Sequence, residues 1–449
     1  MSLEKIWSAI LAVEEAESLP EWRVGDVYLW QVIRERLYTH IAEQLGLSQP
    51  VPAKAEVPAQ REVPIQESSV AVLPFVRRDA EGQDPFSAGI IQAAEKVSGP
   101  ALVFGIGAED VGSGLPQFET LDALFKQRAR FAAKLRVVWT QRKHHAETWA
   151  RVIEFLETEL SVDLAKYRAF PRWLLVDFIS REIGWFSLFR TSKAKVLFAV
   201  NAWQLPTIAA AKRAGLRVIE PQHGVISTMH PRLAWSNPAG GAYLADEFWQ
   251  WGNYWGECLP SSVKRVTIGA PAFLTAQRGV AKKRQLLVIG QPQVSKNLLE
   301  FARFVAAKYP KLSVLLKPHP QENNDQIAAA VEALGSRPSN LQILDAQSST
   351  IELIEVSEYV IGAYSTAMFE AVALGCKVGV LGFSGWQHIR GLVDQGDATL
   401  IETQAELHRF FAESRSGKST DAAPANRADY YYAQPASEAE LWAAIKIAE

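Results

Sequence analysis

The sequence has few cysteines and no long apolar run. Cys258 and Cys376 are the only cysteines among 449 residues, and their spacing fits neither a disulfide framework nor a metal site. No segment approaches the ~20 consecutive apolar residues that a membrane-spanning helix needs. The N-terminus, MSLEKIWSAILAVEEAES, lacks the cationic start and apolar core of a secretory signal. We therefore expect a cytoplasmic protein, in which any membrane contact is peripheral.

An excess of charge of one sign is also missing. The formal net charge is -2, so no overall field favours nucleic acid as a partner. Hydrophobic residues make up 48% of the chain and charged residues 21%, which is typical of globular proteins with large cores. The length favours two domains at roughly 100–200 residues each.

One segment, 126–145, departs from this balance. It contains seven cations and no acid: Lys126, Arg128, Arg130, Lys134, Arg136, Arg142 and Lys143. As a helix, it could bind an anionic glycan or the inner face of a membrane. A solvated helix face balanced by acids elsewhere is the other interpretation, and the sequence leaves both open.

The first 69 residues differ from the rest. Residues 28–45 place their apolar side chains on one helical stripe, and Gly46 follows as a C-cap. A segment with four prolines and no periodicity comes next. We predict an N-terminal helical segment over 1–46 and a Pro-rich linker over 47–69.

Short apolar runs then alternate with longer helical patterns. VAVLPFV (70–76), ALVFGIG (101–107), KVLFAV (195–200) and LRVIE (216–220) are the first set, and the alternation restarts at EFWQWG (247–252). This alternation indicates parallel sheets built from βαβ units. We predict an α/β protein with Rossmann-like domains at 70–240 and 241–435 that face a cleft, and a C-terminal helix over 436–449.

Polar residues gather where the predicted strands end, which is where open α/β sheets bind ligands. The first cluster, Glu220-Pro221-Gln222-His223-Gly224, follows LRVIE, and His230 comes seven residues after His223. Histidine can donate or accept hydrogen bonds near neutral pH. A capped strand with an internally bonded histidine would produce the same pattern.

The second cluster is KPHP, at 317–320, after the strand LSVLL. The prolines fix the backbone, so Lys317 and His319 are held at a strand tip where they could meet a phosphate. A rigid loop with solvated tips is the alternative. The turn GQPQVSK, which begins at Gly290 and Gln291, is a second possible phosphate site or a simple βα loop.

The third cluster, IGAYSTAMFEAVALG, ends a strand at Tyr364 and begins a helix at Ser365 and Thr366. A helix N-terminus presents unpaired amides and a partial positive charge, which suits phosphate. Glu370, one turn further on, could accept hydrogen bonds from a ribose. Plain helix capping would explain Ser365 or Thr366 alone.

The ordered set E-x-QHG, WGNYW…IGAP, KPHP and Y-S-T-x-x-x-E-A resembles bacterial two-lobed (GT-B type) glycosyltransferases of surface-polysaccharide synthesis, over about residues 20–400. It is most similar to the β-Kdo transferases of O-antigen and capsule synthesis, which use CMP-activated sugars, and more distantly to polysialyltransferases. The aromatic passage WQWGNYW itself is more typical of core or of an interdomain hinge.

The resemblance implies roles for matching positions. His319, Ser365 and Thr366 would bind the CMP phosphate and cytidine, with help from Lys317 and Glu370. From the other domain, Gln222, His223 and His230 would face the donor sugar or the leaving phosphate.

Two departures from that family concern the catalytic acids. Its acidic-acidic-glycine motif is matched only by Glu109-Asp110-Val111-Gly112, which has an extra residue. A carboxylate nucleophile is expected near the strand end LFAVNAWQ, where this chain has Asn201. Glu109, Asp110 and Glu220 are the carboxylates that we consider first, and a structural role is equally open for each.

The sequence thus predicts an enzyme that moves Kdo or a related 2-ulosonic acid from a CMP-sugar to a glycan or lipid-linked acceptor, at the cytoplasmic face of the inner membrane. A UDP-sugar or CDP-polyol phosphate donor, or an inactive nucleotide-binding scaffold, are the alternatives. The chain has no Asp-x-Asp pair of the kind that holds nucleotide-bound Mg²⁺. We therefore expect neither metal nor resident cofactor, with the CMP-sugar acting as substrate.

Overall fold

The computed structural model describes most of the chain. The described residues are 2–47, 65, 67–75, 84–106, 110, 113–200, 204–270, 276, 279–320, 322, 327, 329, 332, 337–413 and 425–445. They form two six-stranded parallel sheets, each covered by helices, and a short N-terminal hairpin. This confirms the predicted α/β class with two Rossmann-like domains.

The N-terminal sheet has the strand order β4-β3-β5-β6-β7-β8, and all its pairings are parallel. Its strands are β3 (Val70–Leu73), β4 (Leu102–Val103), β5 (Val196–Ala199), β6 (Arg217–Pro221), β7 (Glu247–Gln250) and β8 (Lys264–Thr267). All four residues of β3, β5 and β7 are buried, as expected for strands that are covered on both faces.

The helices of this domain pack on both faces of the sheet. They are α3 (Ala88–Ser98), α4 (Phe118–Thr140), α5 (Lys143–Leu160), α6 (Arg172–Ser192) and α7 (Leu205–Arg213). Helices α4 and α6 run antiparallel in close contact. A Cβ on Gly184 of α6 would lie 2.2 Å from the Phe125 side chain of α4, so only glycine allows this approach.

The N-terminal segment extends the core of this domain. It comprises α1 (Leu3–Ala16), the hairpin β1 (Arg23–Val24) and β2 (Val27–Tyr28), and α2 (Leu29–Gln44). Arg34 of α2 is fully buried and forms a 2.5 Å ion pair with Glu14 of α1. Its guanidinium also donates to the carbonyls of Pro231 and Ala234. The segment therefore supports the turn that follows β6.

The C-terminal sheet has the order β11-β10-β9-β12-β13-β14, again all parallel. Its strands are β9 (Lys283–Ile289), β10 (Ser313–Lys317), β11 (Leu341–Ile343), β12 (Ser357–Gly362), β13 (Lys377–Leu381) and β14 (Ala398–Ile401). The strand order reverses between β9 and β12, because β10 and β11 follow on one side of β9 and β12 to β14 follow on the other. That switch point is where doubly wound sheets leave a crevice for ligands.

Seven helices belong to the described C-terminal half. They are α8 (Ser295–Lys308), α9 (Thr350–Val356), α10 (Thr366–Ala373), α11 (Arg390–Asp394), α12 (Gln404–Glu413), α13 (Ala425–Tyr431) and α14 (Glu438–Ile445). The last one crosses back to the N-terminal domain, where Leu441 packs against the core that contains Val70 and Ile90.

The domain boundary differs from the one predicted at residue 240. Strands β7 and β8 pair with β6, so they complete the first sheet, and the second sheet begins at Lys283. Apolar strands look alike in the two sheets, so the pattern that restarts at 247 gave no sign of which sheet it joins. Most of the predicted 47–69 linker lies outside the described residues. No described helix is both long and apolar enough to span a bilayer.

Candidate functional site

Glu220 is occupied by an ion pair. Its Oε1 lies 2.7 Å from Nη2 of Arg232, and both side chains are almost fully buried. A carboxylate held in this way neutralises the guanidinium and is poorly suited to accept a proton from a substrate. The ion pair favours the structural role that the sequence left open for Glu220, and a catalytic role stays a prediction.

Gln222 fastens the turn after β6 to the end of β7. Its amide nitrogen donates to the Gly224 carbonyl at 3.0 Å, and its amide oxygen accepts from the Trp251 backbone at 2.9 Å. The side chain is 1% exposed. Gln222 thus shapes the loop, and a contact with ligand stays a prediction.

His223 lies against two aromatic rings, at centroid distances of 5.1 Å from Phe75 and 6.5 Å from Phe86. Burial, with a contribution from the Arg232 charge, lowers the pKa of His223 to about 3, so the ring is neutral at pH 7. Its Nδ1 is buried and has no hydrogen-bond partner among the described residues. A buried polar atom without a partner is costly, which is typical of a place that a ligand or water fills.

His230 caps the next turn with its ring. Nδ1 accepts from the backbone amides of Arg232 at 3.3 Å and Leu233 at 3.2 Å. Burial first, and then the Arg232 charge, hold the pKa of His230 well below its ordinary value. A neutral ring that accepts at Nδ1 carries its proton on Nε2, so His230 can donate one hydrogen bond.

His388, from the C-terminal domain, approaches this cluster. It lies in the 3₁₀ turn Trp386–Ile389, beyond the end of β13. Its charge would lower the pKa of His230, so the two rings are within electrostatic range across the domains. Burial lowers the pKa of His388 as well.

Two further polar atoms here lack partners among the described residues. They are Nη1 of Arg232 and Oε1 of Gln387, the residue before His388. Arg232 is the only one of its cluster that carries a lasting positive charge, since both neighbouring histidines are neutral at pH 7. A hydrogen-bond donor of one domain and a hydrogen-bond acceptor of the other therefore both lack a partner among the described residues.

In the C-terminal domain, the loops after β9 and β10 meet. The Gly290 amide donates to the Lys317 carbonyl at 2.7 Å, and a Cβ on Gly290 would lie 2.7 Å from the His319 nitrogen. Gln291 donates to Gln293 at 3.1 Å. The structure therefore brings the predicted GQP and KPHP turns together, and their contact with nucleotide stays a prediction.

Lys317 does not extend into open space. Its ammonium donates to the carbonyls of Pro318 at 3.0 Å and Ala346 at 2.7 Å, and the residue is 2% exposed. A phosphate would have to compete with these carbonyls, so the bonds favour a role in loop stabilisation, and contact with a phosphate stays a prediction. His319 is half-buried, and its backbone amide donates to Glu322 at 2.6 Å.

The third predicted cluster lies at the switch point of the C-terminal sheet. The Tyr364 hydroxyl donates to Gln293 at 3.3 Å and so joins the loops after β12 and β9, and burial raises its pKa to about 12. Ser365 is the N-cap of α10, where its Oγ accepts from the Ala367 amide at 3.3 Å. The hydroxyl proton of Ser365 can still be donated.

Thr366 and Glu370 of α10 lie near a tyrosine that reaches across the domains. The Tyr432 hydroxyl donates to the Thr366 carbonyl at 3.5 Å, and the Glu370 charge raises the pKa of Tyr432 further above the value that burial sets. Tyr432 stacks on Trp251 at 5.8 Å, and Trp251 stacks on Phe86 at 6.3 Å. This row of rings joins α10 to the aromatic pocket of His223.

Of the predicted pair Glu109 and Asp110, the structure describes only Asp110. Asp110 accepts from the Ile106 amide at 2.8 Å, and its carbonyl accepts from Gln117 at 2.8 Å, so it fixes its own loop. Glu109 and Asn201 lie outside the described residues. No group of three or more His, Cys, Asp or Glu side chains among the described residues is placed to hold a metal ion.

Arg232, Gln387 and His388 are not among the site residues that the sequence predicts. The signal was present, since LGFSGWQHIR places polar residues beyond a strand in the same way as the three clusters that were chosen. What the sequence could not show is that His388 comes close enough to His230 to influence its pKa.

No known family profile matches the chain, and no curated protein matches it. Solved structures do. MurG of Acinetobacter baumannii superposes with a TM-score of 0.50 at 13% identity, over 84% of this chain and 98% of MurG. UDP-GlcNAc 2-epimerase from Neisseria meningitidis, bound to UDP-GlcNAc, gives 0.46 at 14% identity over 81% and 96%. The glycosyltransferase of kitacinnamycin gives 0.45 at 13% over 84% and 95%. At such identity the likeness to MurG shows a shared fold, which is the predicted GT-B type.

Proposed function

We propose that this chain is a glycosyltransferase that binds a nucleotide-activated sugar between its two domains. We further propose that the donor is CMP-linked and that the transferred sugar is Kdo or a related 2-ulosonic acid. The fold supports the first part, since ligands of doubly wound sheets bind beyond the carboxyl ends of the strands. The motif resemblance of the sequence supports the second.

One observation carries the proposal. Polar atoms with unfilled hydrogen-bonding capacity come from both domains, namely His223 Nδ1 and Arg232 Nη1 on one side and Gln387 Oε1 on the other. A buried polar atom without a partner costs about 1–3 kcal/mol. A ligand that fills all three would recover this free energy, and it would have to lie between the domains.

The C-terminal switch point supplies the site for the nucleotide phosphate. Helix α10 begins there, and its N-terminal amides and the Ser365 hydroxyl suit an oxyanion. Tyr364 and Gln293 join the neighbouring loops at the same point. We assign His319, Ser365 and Thr366 to the nucleotide, as the motif resemblance implies.

The chemical step breaks the bond between the anomeric carbon of the sugar and the phosphate oxygen. CMP leaves with the electron pair, and an acceptor hydroxyl forms the new bond and gives up its proton. The charge on the leaving phosphate grows as this bond breaks. His230 Nε2–H and Arg232 are donors fixed by burial, so they stabilise that charge with little rearrangement.

The test is a ligand screen by thermal unfolding with CMP, CDP, UDP and GDP, followed by assay of CMP release from CMP-Kdo. A saturating ligand that binds only the folded state adds about 2.7 kcal/mol at a hundredfold excess over Kd. We expect stabilisation by CMP above the others, and slow CMP release that the acceptor accelerates. His388→Gln should reduce both, whereas the exposed His408→Gln should change neither.

The other outcomes of the ligand screen would support other functions. Selective stabilisation by UDP would support a UDP-sugar donor, and CDP would support a CDP-polyol phosphate. No response to any nucleotide would identify a scaffold without transferase activity and overturn the proposal.

A further inference from the structure

Helix α4 has apolar side chains on its outer face. Of the six exposed large apolar side chains among the described residues, four belong to this helix: Phe131 (73% exposed), Leu135 (47%), Val138 (75%) and Trp139 (76%). They follow one another at spacings of four, three and one residues, so they lie on one side of the helix. We call these four residues the α4 stripe.

The opposite side of α4 provides the packing that the fold needs. Ala129, Ala133 and Val137 are buried there, and the helix lies along α6. The α4 stripe is therefore not required for the fold of the chain. Contiguous exposed apolar surface of this kind marks an interaction site.

The start of α6 also carries an exposed apolar side chain. Arg172 donates from Nε to Gln141 at 2.5 Å, which holds the first turn of α6 beside the end of α4. Trp173, the next residue, is 51% exposed. A second exposed tryptophan thus follows a residue that contacts the end of α4, and the Arg36 guanidinium lies over its ring at 5.7 Å. Tryptophan favours membrane interfaces.

Cations lie beside the stripe and at its N-terminal end. At about 100° per residue, Arg130 and Lys134 lie along one edge, and Arg128 lies in line with the stripe, about one turn before Phe131. Arg130 and Lys134 are exposed and form no ion pair with another described residue. Arg142 follows the helix and donates to the Trp139 carbonyl at 2.6 Å. No acid occurs from 123 to 146.

We infer that α4 lies in the surface of an anionic phospholipid bilayer. The α4 stripe enters the boundary between headgroups and acyl chains, and the flanking cations contact lipid phosphates. A helix with an apolar face bordered by Lys and Arg is the pattern of an interfacial helix. The inference is independent of the donor proposed above, and it deepens the expectation from charge alone because it names the inserting residues.

The charge distribution disfavours a second copy of the chain as the occupant. Two stripes packed together would bring Arg128, Arg130 and Lys134 against their own counterparts, and like charges that meet at an interface are costly. The surface of an anionic bilayer carries the opposite charge.

The test is co-sedimentation of the full chain with vesicles of phosphatidylcholine alone or with about 30 mol% phosphatidylglycerol. We expect binding to the anionic vesicles that weakens as salt rises. Phe131→Ser/Val138→Ser/Trp139→Ser should weaken it on the order of 100-fold through lost apolar burial. Arg128→Ser/Arg130→Ser/Lys134→Ser should weaken it by a similar factor, at ~1 kcal/mol per cation.

Matched controls separate these effects from general changes in surface. Phe155→Ser removes a partly exposed aromatic residue beside Glu154 and Glu159. Lys283→Ser/Arg284→Ser/Lys311→Ser removes three exposed cations from the other domain. Both controls should bind vesicles as the wild type does.

Trp139 provides a measure of insertion. Lipids brominated in their acyl chains should quench the protein's fluorescence, and the part of the quenching that Trp139→Ser removes reports its depth. Absence of sedimentation with anionic vesicles, or unchanged binding by both triple variants, would overturn the inference. So would a dimer in solution that the stripe variant separates, since that would make a second copy the occupant.

Discussion

Arg232 and Glu220 form an ion pair of 2.7 Å in which both side chains are almost fully buried. The pair fixes the turn after β6, on which His223 and His230 also lie. It directs one half of the guanidinium to the carboxylate and leaves Nη1 without a partner among the described residues. The pair is therefore a structural element that also holds an unfilled guanidinium donor, Nη1, at the candidate site.

Glu220→Gln should destabilise the fold. Removal of one partner leaves a buried charge without compensation, which costs about 3–5 kcal/mol. Urea unfolding monitored by circular dichroism measures the change. The control is Glu67→Gln, which breaks an exposed 2.7 Å pair with Lys193 and should cost less than about 1 kcal/mol. A Glu220→Gln variant of wild-type stability that has lost CMP release would instead restore Glu220 as a catalytic group.

His223 should make the fold less stable in acid. Its pKa is about 3 in the folded chain and about 6.5 when unfolded. Between these values the unfolded state binds the extra proton, so the free energy of unfolding falls as pH drops from 6.5 toward 3. One such group contributes about 1.4 kcal/mol per pH unit, or ~2 kcal/mol at pH 5.

His223→Gln should reduce this slope by the contribution of His223. The part that His230 and His388 contribute should remain, because burial lowers their pKa values as well. Urea unfolding at pH 7.0, 6.0 and 5.0 gives the slope, which is independent of any constant loss of stability in the variant. His408→Gln, on the exposed face of α12, should keep the wild-type slope. A slope unchanged in His223→Gln would show that His223 does not remain neutral in the folded chain.

Much of the fold could be predicted, because parallel strands that are buried on both faces are continuous apolar runs. VAVL and VLFA became β3 and β5 as expected. The helix predicted at 28–45 became Leu29–Gln44, and Gly46 has the positive φ of a C-cap. The assignment of β7 to the first sheet could not be predicted, since pairing depends on contacts far apart in sequence.

The sequence predicts the position of the site better than it predicts the roles of the residues there. Residues beyond strand ends do gather at one edge of each sheet. However, the partners of Lys317 and Glu220 lie 29 and 12 residues away, at Ala346 and Arg232. The sequence alone does not show that a polar side chain already bonds to partners this far away along the chain. Among the described residues, no atom lies within 4 Å of a Cβ at Gly224, so packing does not require a glycine there.

Gly290→Ala should displace the KPHP loop. Its Cβ would lie 2.7 Å from backbone atoms of residues 317–319, which cannot move aside as a flexible side chain could. We expect destabilisation of about 1–3 kcal/mol from overpacking, together with weaker nucleotide stabilisation. Gly224→Ala is the control and should be nearly neutral. Equal thermal stability of the two variants would contradict the close contact between the loops.

His319→Ala tests the nucleotide site directly. Its side chain is half-buried at the tip that Gly290 contacts, so its loss should leave the core intact. We expect the stabilisation by CMP to fall sharply while the melting temperature without ligand changes by no more than a few degrees. A lost hydrogen bond to a charged phosphate is worth about 1.5–3 kcal/mol, which corresponds to a Kd increase of roughly 10- to 150-fold. His408→Ala removes a histidine of the same domain outside the cleft and should retain the full CMP response. If His319→Ala binds CMP as tightly as the wild type, the phosphate lies elsewhere, and the N-terminal amides of α10 with Ser365 become the site to examine by Ser365→Ala.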